Sequence, residues 1–261
     1  MNYDQHNFPW ELTNKEVVVF VPNFARKKFI VPTLERFKTN VPTDKWIFLV
    51  VNDGIHEDLS DLEKYNLCWF NFERADTKER NGGPVRNYVI KRVQSRILAS
   101  RDPEIVVDHP DFVDGLLQLK EDESLRCCRG IELTDPDTDK IFQDNTIDLS
   151  TLRPLRVWEI SQERKYESWH WAYGIHTKKL IELGGYDERF AEWYGHEDTD
   201  LLCRILNYGM RTIMPSNFIA YHIFHPRMIK FTNTIRDAGL LSESLPKNRI
   251  IANQGIEWGN G

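Results

Sequence analysis

Two short apolar runs near the amino end constrain the fold of this chain most. They are Glu16–Pro22 (EVVVFVP) and Lys45–Val51 (KWIFLVV), and both are rich in β-branched or aromatic residues. Short runs without polar alternation are typical of strands buried on both faces, as in parallel sheets. Between them, Phe29–Thr39 places apolar residues at helical spacing. Strand and helix therefore alternate, which predicts a parallel α/β sheet.

The same alternation continues along most of the chain. Further strands are predicted at Cys68–Asn71, Glu104–Val107, Leu125–Leu133, Ala172–Ile175 and up to Tyr221, and helices at Asp61–Tyr65, Val85–Ala99, Asp111–Leu119 and Thr177–Leu183. The stretch 134–166 is polar and rich in turn residues, so no element is predicted there. We expect one α/β domain over residues 1–226, with a mostly parallel central sheet flanked by helices. Residues 227–261 are expected to form an extension, either a closing flap or a disordered tail.

The charge of the chain limits its partners. Charged residues make up 28% of the sequence and the formal net charge is -6, which argues against electrostatic binding of nucleic acid by the molecule as a whole. Basic residues gather at Arg26–Lys28 and along the helix expected at Lys91–Arg101. Solvated helix faces are the simpler interpretation, although these residues leave a nucleic-acid acceptor open.

The cysteines and the hydropathy pattern bear on the compartment. The four cysteines show no CxxC spacing, so free thiols in a reducing compartment are expected. The amino end has neither the basic start nor the apolar segment of a signal peptide, and no run of about 18 apolar residues occurs. We therefore expect a soluble protein without a transmembrane segment in the cytoplasm, or in the host cytoplasm if the source is viral.

Polar side chains stand where the predicted strands end. Asn23 follows the first strand, Asp53 lies in the turn after the second, and Asp102 lies beside a later one. In parallel α/β sheets, ligands bind beyond the carboxyl ends of the strands. A carboxylate at position 53 can accept hydrogen bonds from a base or a ribose, whereas an Asx turn that serves only the backbone is the alternative.

The segment Asn81–Asn87 (NGGPVRN) opens a predicted helix. Glycines permit close approach of the backbone to a ligand, and a helix amino end attracts anions. Arg86 in the first turn can then bind a phosphate or a carboxylate. A plain loop-to-helix junction with a first-turn proline explains the same residues.

Asp102 and Glu104 form the candidate metal site of the first half. Carboxylate oxygens suit hard divalent cations, which bridge well to a diphosphate. Other acidic strings match a D-x-D spacing equally well, at 135–139 and 198–200, and Asp108–Asp111 is the main rival. Only the position after the arginine-bearing helix favours Asp102 and Glu104.

A second acidic pair, Glu197 and Asp198, precedes apolar residues at helical spacing, so both acids fall in the first turn of a helix. The helix dipole favours their ionised form there. An ionised carboxylate at a cleft can accept a proton from an attacking hydroxyl. A charged first turn that only stabilises its own helix is the alternative.

Histidines and aromatic residues complete the candidate site. His222 and His225 end an apolar run, and imidazoles can join carboxylates in the mixed nitrogen and oxygen sites that manganese accepts. Trp193 and Tyr194, just before the acids, offer flat rings for stacking on a sugar, although most such rings belong to cores. We assign His222 to the metal and His225 to the acceptor. The sequence alone leaves open whether the two roles are exchanged.

Taken in order, five segments resemble the motifs of family 2-like glycosyltransferases of the GT-A fold. They are Asn52-Asp53-Gly54, Gly83–Asn87, Asp102-Pro103-Glu104, Gly184–Phe190 (GGYDERF) and Tyr194–Asp198 (YGHED). The last two, with Tyr221-His222, look most like the galactosyltransferase and chondroitin-polymerase branch. Asn52 departs from the family by replacing an acid, and Glu104 by replacing the second aspartate of its metal motif.

The resemblance covers about Val17 to Pro226 and implies a Rossmann-like GT-A domain. Its nucleotide-sugar half spans about 15–133 and its acceptor half about 166–226. By this resemblance, the position of Asp198 is that of the catalytic base and the position of His222 is that of a metal ligand. Asn23, Asp53, Arg86 and Asp102 would then hold the nucleotide, and Asp102, Glu104 and His222 a Mn²⁺ or Mg²⁺ ion.

The sequence thus predicts a metal-dependent inverting glycosyltransferase that uses a nucleoside-diphosphate sugar, most simply a UDP-sugar, and a hydroxyl acceptor on a glycan. A hydroxymethylated base of viral DNA is an alternative acceptor, and a non-catalytic relative that only binds nucleotide sugar is an alternative function. A nucleotidyltransferase should carry a glycine-rich loop with a lysine after its first strand, and Val21–Arg26 has no glycine.

Overall fold

The computed structural model describes residues 3–74, 82–159, 171–190, 196–226, 234–244 and 249–260, without the side chains of 234–238. Its strands are β1 (Val17–Asn23), β2 (Trp46–Asp53), β3 (Leu67–Phe72), β4 (Ile97–Arg101), β5 (Ile105–Val107), β6 (Glu123–Arg126), β7 (Arg129–Leu133), β8 (Pro154–Glu159), β9 (Ala172–His176), β10 (Arg211–Ile213) and β11 (Ile219–His222). Its α-helices are α1 (Lys27–Glu35), α2 (Gly83–Ile90), α3 (Phe112–Leu117), α4 (Asp135–Gln143), α5 (Thr177–Glu182), α6 (Glu197–Asn207) and α7 (Thr234–Ser244). Short 3-10 turns lie at Trp10–Thr13, Ser60–Tyr65, Leu149–Thr151 and Glu188–Phe190.

The central sheet has seven strands in the order β10-β6-β9-β4-β1-β2-β3. Strands β4, β1, β2 and β3 run parallel to one another, and β9 runs antiparallel to its neighbours β4 and β6. Within the described strands the sheet is therefore mostly parallel, as predicted. Its parallel part aligns the carboxyl ends of β1, β2, β3 and β4 along one edge.

Both faces of this sheet are covered, which explains why β1 is apolar without alternation. Val17, Val19 and Val21 face one layer, which includes α1 and α3, whereas Val18 and Phe20 face the other, which includes α2, α5 and α6. All five side chains are fully buried. The expected α/β architecture with helices on both faces is confirmed.

A second sheet brings His222 next to Glu104. It has four strands in the order β5-β11-β7-β8. Strand β11 pairs antiparallel with β5 so that His222 lies opposite Ile105, and the N–H of Ile223 donates to the carbonyl of Glu104 at 3.0 Å. This register sets the imidazole of His222 beside Glu104, more than a hundred residues earlier in the chain.

The helix predicted at Val85–Ala99 is wrong in its second half. Helix α2 ends at Ile90, and Ile97–Arg101 form β4, which pairs with β1 in the centre of the sheet. The apolar residues of this segment fit either period, and pairing with β1 decides in favour of a strand. The basic helix expected at Lys91–Arg101 therefore does not exist, and Arg101, the last residue of β4, is buried.

Two further segments differ from the sequence prediction. The strand expected at Leu125–Leu133 is two strands, β6 and β7, which belong to different sheets. The turn-rich stretch 134–166 contains α4 and β8 in its described part. Helix α4 begins with a capping interaction that the sequence carries, because the hydroxyl of Thr134 accepts from the N–H of Asp137.

The end of the chain packs against the domain where it is described. The N–H of Ala252 donates to the carbonyl of Leu183 at 2.9 Å, and the amide of Asn253 donates to the carbonyls of Gly184 and Tyr186. Gly184 has φ +76°, and a Cβ there would lie 2.2 Å from the carbonyl oxygen of Ala252. Residues 249–260 are therefore part of the folded body. No helix in the described parts of the chain is long and apolar enough to cross a bilayer.

Arg249 anchors this segment, so we expect Arg249→Ala to destabilise the fold. Its guanidinium contacts Asp187, lies 3.2 Å from Asp200 and donates to Glu243 at 3.1 Å. Loss of hydrogen bonds to buried carboxylates should lower the free energy of unfolding by about 1–3 kcal/mol. Urea denaturation measures this. The control is Arg129→Ala, because the Arg129–Glu159 pair is exposed and its loss should cost less than about 0.5 kcal/mol. Equal stability of the Arg249 variant and the wild type would contradict this role.

Candidate functional site

Arg86 joins the mid-chain acid to the late acidic pair. Its guanidinium donates to Asp102 at 3.0 Å and lies 3.8 Å from the carboxylate of Glu197. Asp102 directly follows β4, and Glu197 begins α6. Two acids 95 positions apart in the sequence therefore meet at one arginine, at the carboxyl edge of the central sheet.

Two of the sequence motifs interlock around this arginine. The amide of Asn87 donates to the carbonyl of Tyr186 at 2.9 Å and accepts from its N–H at 2.7 Å. A Cβ at Gly185 would lie 2.4 Å from the side-chain oxygen of Asn87, and one at Gly82 would lie 2.0 Å from the guanidinium of Arg86. Glycine at 185 therefore lets the turn before Tyr186 approach the start of α2, and glycine at 82 leaves room for the guanidinium of Arg86.

Glu104, His222 and His225 form a compact cluster of possible metal ligands. Their nearest carboxylate and imidazole atoms all lie within 4.8 Å of one another. The Nε2 atom of His225 lies 3.0 Å from Oε1 of Glu104, and Nε2 of His222 lies 3.6 Å from the same oxygen. The turn between β4 and β5, the end of β11 and the loop after β11 thus direct three ligands to one point.

The surroundings of Glu104 favour its charged form. Burial by itself would raise its pKa, but interactions with His222 and His225 and the charge of Arg26 hold the pKa well below its usual range. Its second oxygen, Oε2, is buried and has no hydrogen-bond partner. A buried, ionised carboxylate with a free oxygen is a group that a cation would stabilise.

The donor set fits a divalent transition metal. One carboxylate oxygen and two imidazole nitrogens suit Mn²⁺, which accepts mixed oxygen and nitrogen ligands. The cluster confirms that Glu104 and His222 are neighbours, and it adds His225, which the sequence assigned to the acceptor. Asp102 is not part of the cluster, and its carboxylate is instead paired with Arg86. Its direct bond to a metal remains a prediction.

Glu197 and Asp198 both occupy the first turn of α6, as predicted. Burial and the neighbouring Asp198 raise the pKa of Glu197 to about 7, against the opposing effect of Arg86. Burial also raises the pKa of Asp198, although a hydrogen bond from the N–H of Thr199 and the charge of Arg86 lower it. Of these two half-buried carboxylates, Glu197 can hold and release a proton near neutral pH.

The third acid of this turn has a structural role. Asp200 is fully buried and accepts from Arg204 at 2.8 Å, while Arg204 also donates to the carbonyls of Leu183 and Gly185. This pair fastens α6 to the turn that interlocks with α2. The acidic string at 198–200 is therefore not a metal motif.

Comparison with known proteins places this geometry in a fold family. Residues 161–227, about a quarter of the chain, match the model described as the N-terminal domain of galactosyltransferase. A mannosyltransferase of Pyrobaculum calidifontis in complex with GDP-Man and Mn²⁺ matches with a TM-score of 0.54 and 16% identity, over 86% of this chain and 63% of that one. The chain has the GT-A fold.

Two other solved structures give the same result. GalNAc-T7 with UDP, GalNAc and Mn²⁺ matches with a TM-score of 0.58 and 11% identity, over 86% of this chain and 47% of that one. The S. aureus TarS 1-349 fragment with UDP matches with a TM-score of 0.54 and 14% identity, over 88% of this chain and 64% of that one. This chain therefore spans less than two thirds of the length of these proteins. No curated protein sequence matches it significantly.

The resemblance read from the motifs is confirmed by both comparisons. The matched residues 161–227 contain the second acidic pair and both histidines. His222 and His225 lie beside Glu104, and Glu197 lies 3.8 Å from Arg86, which donates to Asp102. Fold and family match together agree with a glycosyltransferase.

Asp53 and Asn23, the residues predicted to contact the nucleotide, lie at the ends of β2 and β1. Asp53 ends β2 and is paired with Arg74, whose Nη2 lies 2.6 Å from its carboxylate. Asn23 is fully buried and donates to Asn52 at 2.7 Å and to Glu57 at 2.9 Å. The predicted direct contact of Asn23 with a nucleotide is therefore not supported, because its side chain ties the ends of β1 and β2 together.

Other candidates lie elsewhere or outside the described residues. Trp193 and Tyr194 are among the residues that the structure does not describe, so their stacking on an acceptor stays a prediction. The rival acidic segment is structural: Nδ1 of His109 accepts from the N–H of Asp111, and the ring packs on Phe218. The D-x-D matches at 135–139 lie in α4.

Sequence reasoning missed Arg26. We interpreted the basic residues Arg26–Lys28 as a solvated helix face, but the guanidinium of Arg26 points inward onto Glu104 and His225. A usable signal existed, because Arg26 follows the end of β1 by three residues, where loops of parallel sheets carry ligands.

Proposed function

We propose that this protein is a metal-dependent glycosyltransferase that moves a sugar from a nucleoside-diphosphate sugar to an acceptor hydroxyl. The observation that carries the proposal is the convergence of two groups at one sheet edge. One group is the ligand cluster Glu104, His222 and His225, and the other is Glu197 and Asp198 with Arg86.

In this proposal, Glu104, His222 and His225 hold a Mn²⁺ ion, with Asp102 close by on Arg86. A bound metal neutralises the charge that grows on the departing diphosphate. Arg86 supports that neutralisation from the start of α2 and keeps Asp102 in place. Asp53 faces the base or ribose of the donor. A UDP-sugar is the proposed donor, in line with the UDP bound to TarS and GalNAc-T7, although the mannosyltransferase carries GDP-Man.

Asp198 is the proposed base of an inverting reaction. The acceptor oxygen forms a bond to the anomeric carbon from the face opposite the diphosphate, the bond to the diphosphate oxygen breaks, and the acceptor proton passes to Asp198. Glu197 orients acceptor hydroxyls, and its raised pKa lets it donate or accept a hydrogen bond near neutral pH. The acceptor is proposed to be a glycan, with Trp193 and Tyr194 stacking on it.

A screen of UDP- and GDP-sugars tests the proposed function. Purified protein is incubated with each donor and MnCl₂ or EDTA, and the released nucleotide diphosphate is measured. We expect hydrolysis of at least one donor that depends on Mn²⁺, and stabilisation by that donor of about 2.7 kcal/mol at a hundredfold excess over its Kd. A protein that binds a donor but never hydrolyses it would be a non-catalytic relative, and one that binds none would contradict the proposal.

The rate should depend on pH through the acidic pair. Because Asp198 must be ionised to accept a proton, and burial raises the pKa of Asp198, we expect kcat/KM for donor hydrolysis to fall with decreasing pH as Asp198 gains a proton. Glu197→Gln removes a negative neighbour, which should lower the pKa of Asp198 and move the descending limb to lower pH. A pH–rate profile of each protein measures this. A fall of kcat/KM over the same pH range in both proteins would contradict an effect of Glu197 on the pKa of Asp198.

A further inference from the structure

Arg26 occupies the point at which the proposed metal ligands converge. It lies in the loop between β1 and α1, after Ala25 with φ +49°. Its Nη1 atom lies 2.5 Å from Oε1 of Glu104 and 2.8 Å from Nε2 of His225. These are two of the three atoms that the cluster offers to a cation.

With a hydrogen on Nδ1 only, His225 presents the lone pair of its Nε2 to Arg26. Its Nδ1 lies 3.1 Å from the carbonyl oxygen of Pro226, which can only accept, so Nδ1 carries the hydrogen. Arginine can only donate, so Nε2 accepts from Arg26. The lone pair that a metal would take is therefore the one that Arg26 uses.

Arg26 bridges these two atoms. Nε2 of His225 lies 3.0 Å from a carboxylate oxygen of Glu104, and Nη1 of Arg26 lies within hydrogen-bond distance of both. The two hydrogens on Nη1 of Arg26 can serve one acceptor each. A divalent ion bound to the same atoms cannot share them with a guanidinium, because the two cations would repel at contact distance.

We propose that Arg26 is an internal cation that a divalent metal has to displace from Glu104 and His225. The inference rests on the proposed metal site and deepens it. Charge-assisted hydrogen bonds are lost when the guanidinium leaves, so the metal binds the free protein weakly. A nucleotide diphosphate adds oxygen ligands that offset this loss, so metal and nucleotide bind together rather than the metal first.

Arg26→Met tests the proposal by metal affinity and not by turnover. Free Mn²⁺ is measured by electron paramagnetic resonance while MnCl₂ is titrated into the wild type and the variant, first alone and then with UDP or GDP. Removing the competing guanidinium should tighten the binding of Mn²⁺ alone by about tenfold or more. The gain in Mn²⁺ affinity caused by the nucleotide should be smaller in the variant than in the wild type.

The matched control is Arg96→Met. It makes the same change of side chain and charge, but Arg96 pairs with Glu16 at the opposite end of β1, so its Mn²⁺ affinity should equal that of the wild type. Arg26→Lys covers the case that the methionine variant fails to fold, and it should bind Mn²⁺ more tightly than the wild type but less tightly than Arg26→Met.

The outcomes separate this inference from the proposed function. If the wild type binds Mn²⁺ and the Arg26 variants bind it equally well or more weakly, the proposed role of Arg26 is wrong. The proposed metal site is not affected by that result. No Mn²⁺ binding by any of the proteins, with or without nucleotide, would overturn the metal site itself. A larger rise of the melting temperature on addition of MnCl₂ in Arg26→Met than in the wild type would support displacement.

Discussion

Glu104→Gln is expected to abolish tight Mn²⁺ binding in the presence of nucleotide and the metal-dependent hydrolysis of the donor. Glu104 supplies the only carboxylate of the ligand cluster among the described residues, and its charge is held by His222, His225 and Arg26. Loss of a group that merely supports a metal ligand costs 10–100-fold in affinity or activity, so loss of a ligand itself should cost at least about 100-fold in both. Titration with Mn²⁺ and donor hydrolysis at fixed metal measure the two effects.

A matched change separates this effect from a general loss of negative charge. Glu16→Gln makes the same substitution at the amino end of β1, where Glu16 pairs with exposed Arg96. That variant should keep wild-type metal binding and hydrolysis. If Glu104→Gln folds and still binds Mn²⁺ with wild-type affinity, the assignment of this cluster to the metal is wrong.

Asp198→Asn is expected to lower kcat by about 10²–10⁴, the range that a general base contributes. Asparagine is close to aspartate in size and can still accept from the N–H of Thr199, so α6 should begin at the same residue. The donor does not need this carboxylate, so its Kd should change little. Donor hydrolysis and donor binding by calorimetry measure the two quantities separately.

Glu197→Gln provides the comparison for this second prediction. It removes the adjacent carboxylate of the same buried pair but not the proposed base, so it should lower kcat less than Asp198→Asn does. A variant Asp198→Asn with full activity, or one that loses donor affinity as much as turnover, would show that Asp198 does not act as a base.

The central strands could be predicted from the sequence because the pattern that marks each of them lies within the strand itself. The apolar runs of β1 and β2 can be buried only between two layers, and both strands lie within two residues of their predicted bounds. Strand β4 was not readable, because Ile97–Arg101 is as compatible with a helix as with a strand until it pairs with β1. The cap at Thr134 was present in the sequence but was taken for a turn.

The acids of the site were predictable for a related reason. Asp53 ends β2, Asp102 follows β4, and Glu197 and Asp198 begin α6, so their positions depend on single elements. His225 and Arg26 depend instead on how two sheets meet. The register of β11 on β5 and the inward turn of the loop before α1 set their contacts, and neither is encoded by spacing along the chain.

Anomalous diffraction at the manganese edge, from crystals grown with MnCl₂ and UDP, tests the central claim most directly. We expect one strong peak within bonding distance of Glu104, His222 and His225, on the same side of the sheet as Asp198. A peak at another place, or none at this cluster at saturating metal and nucleotide, would contradict the account.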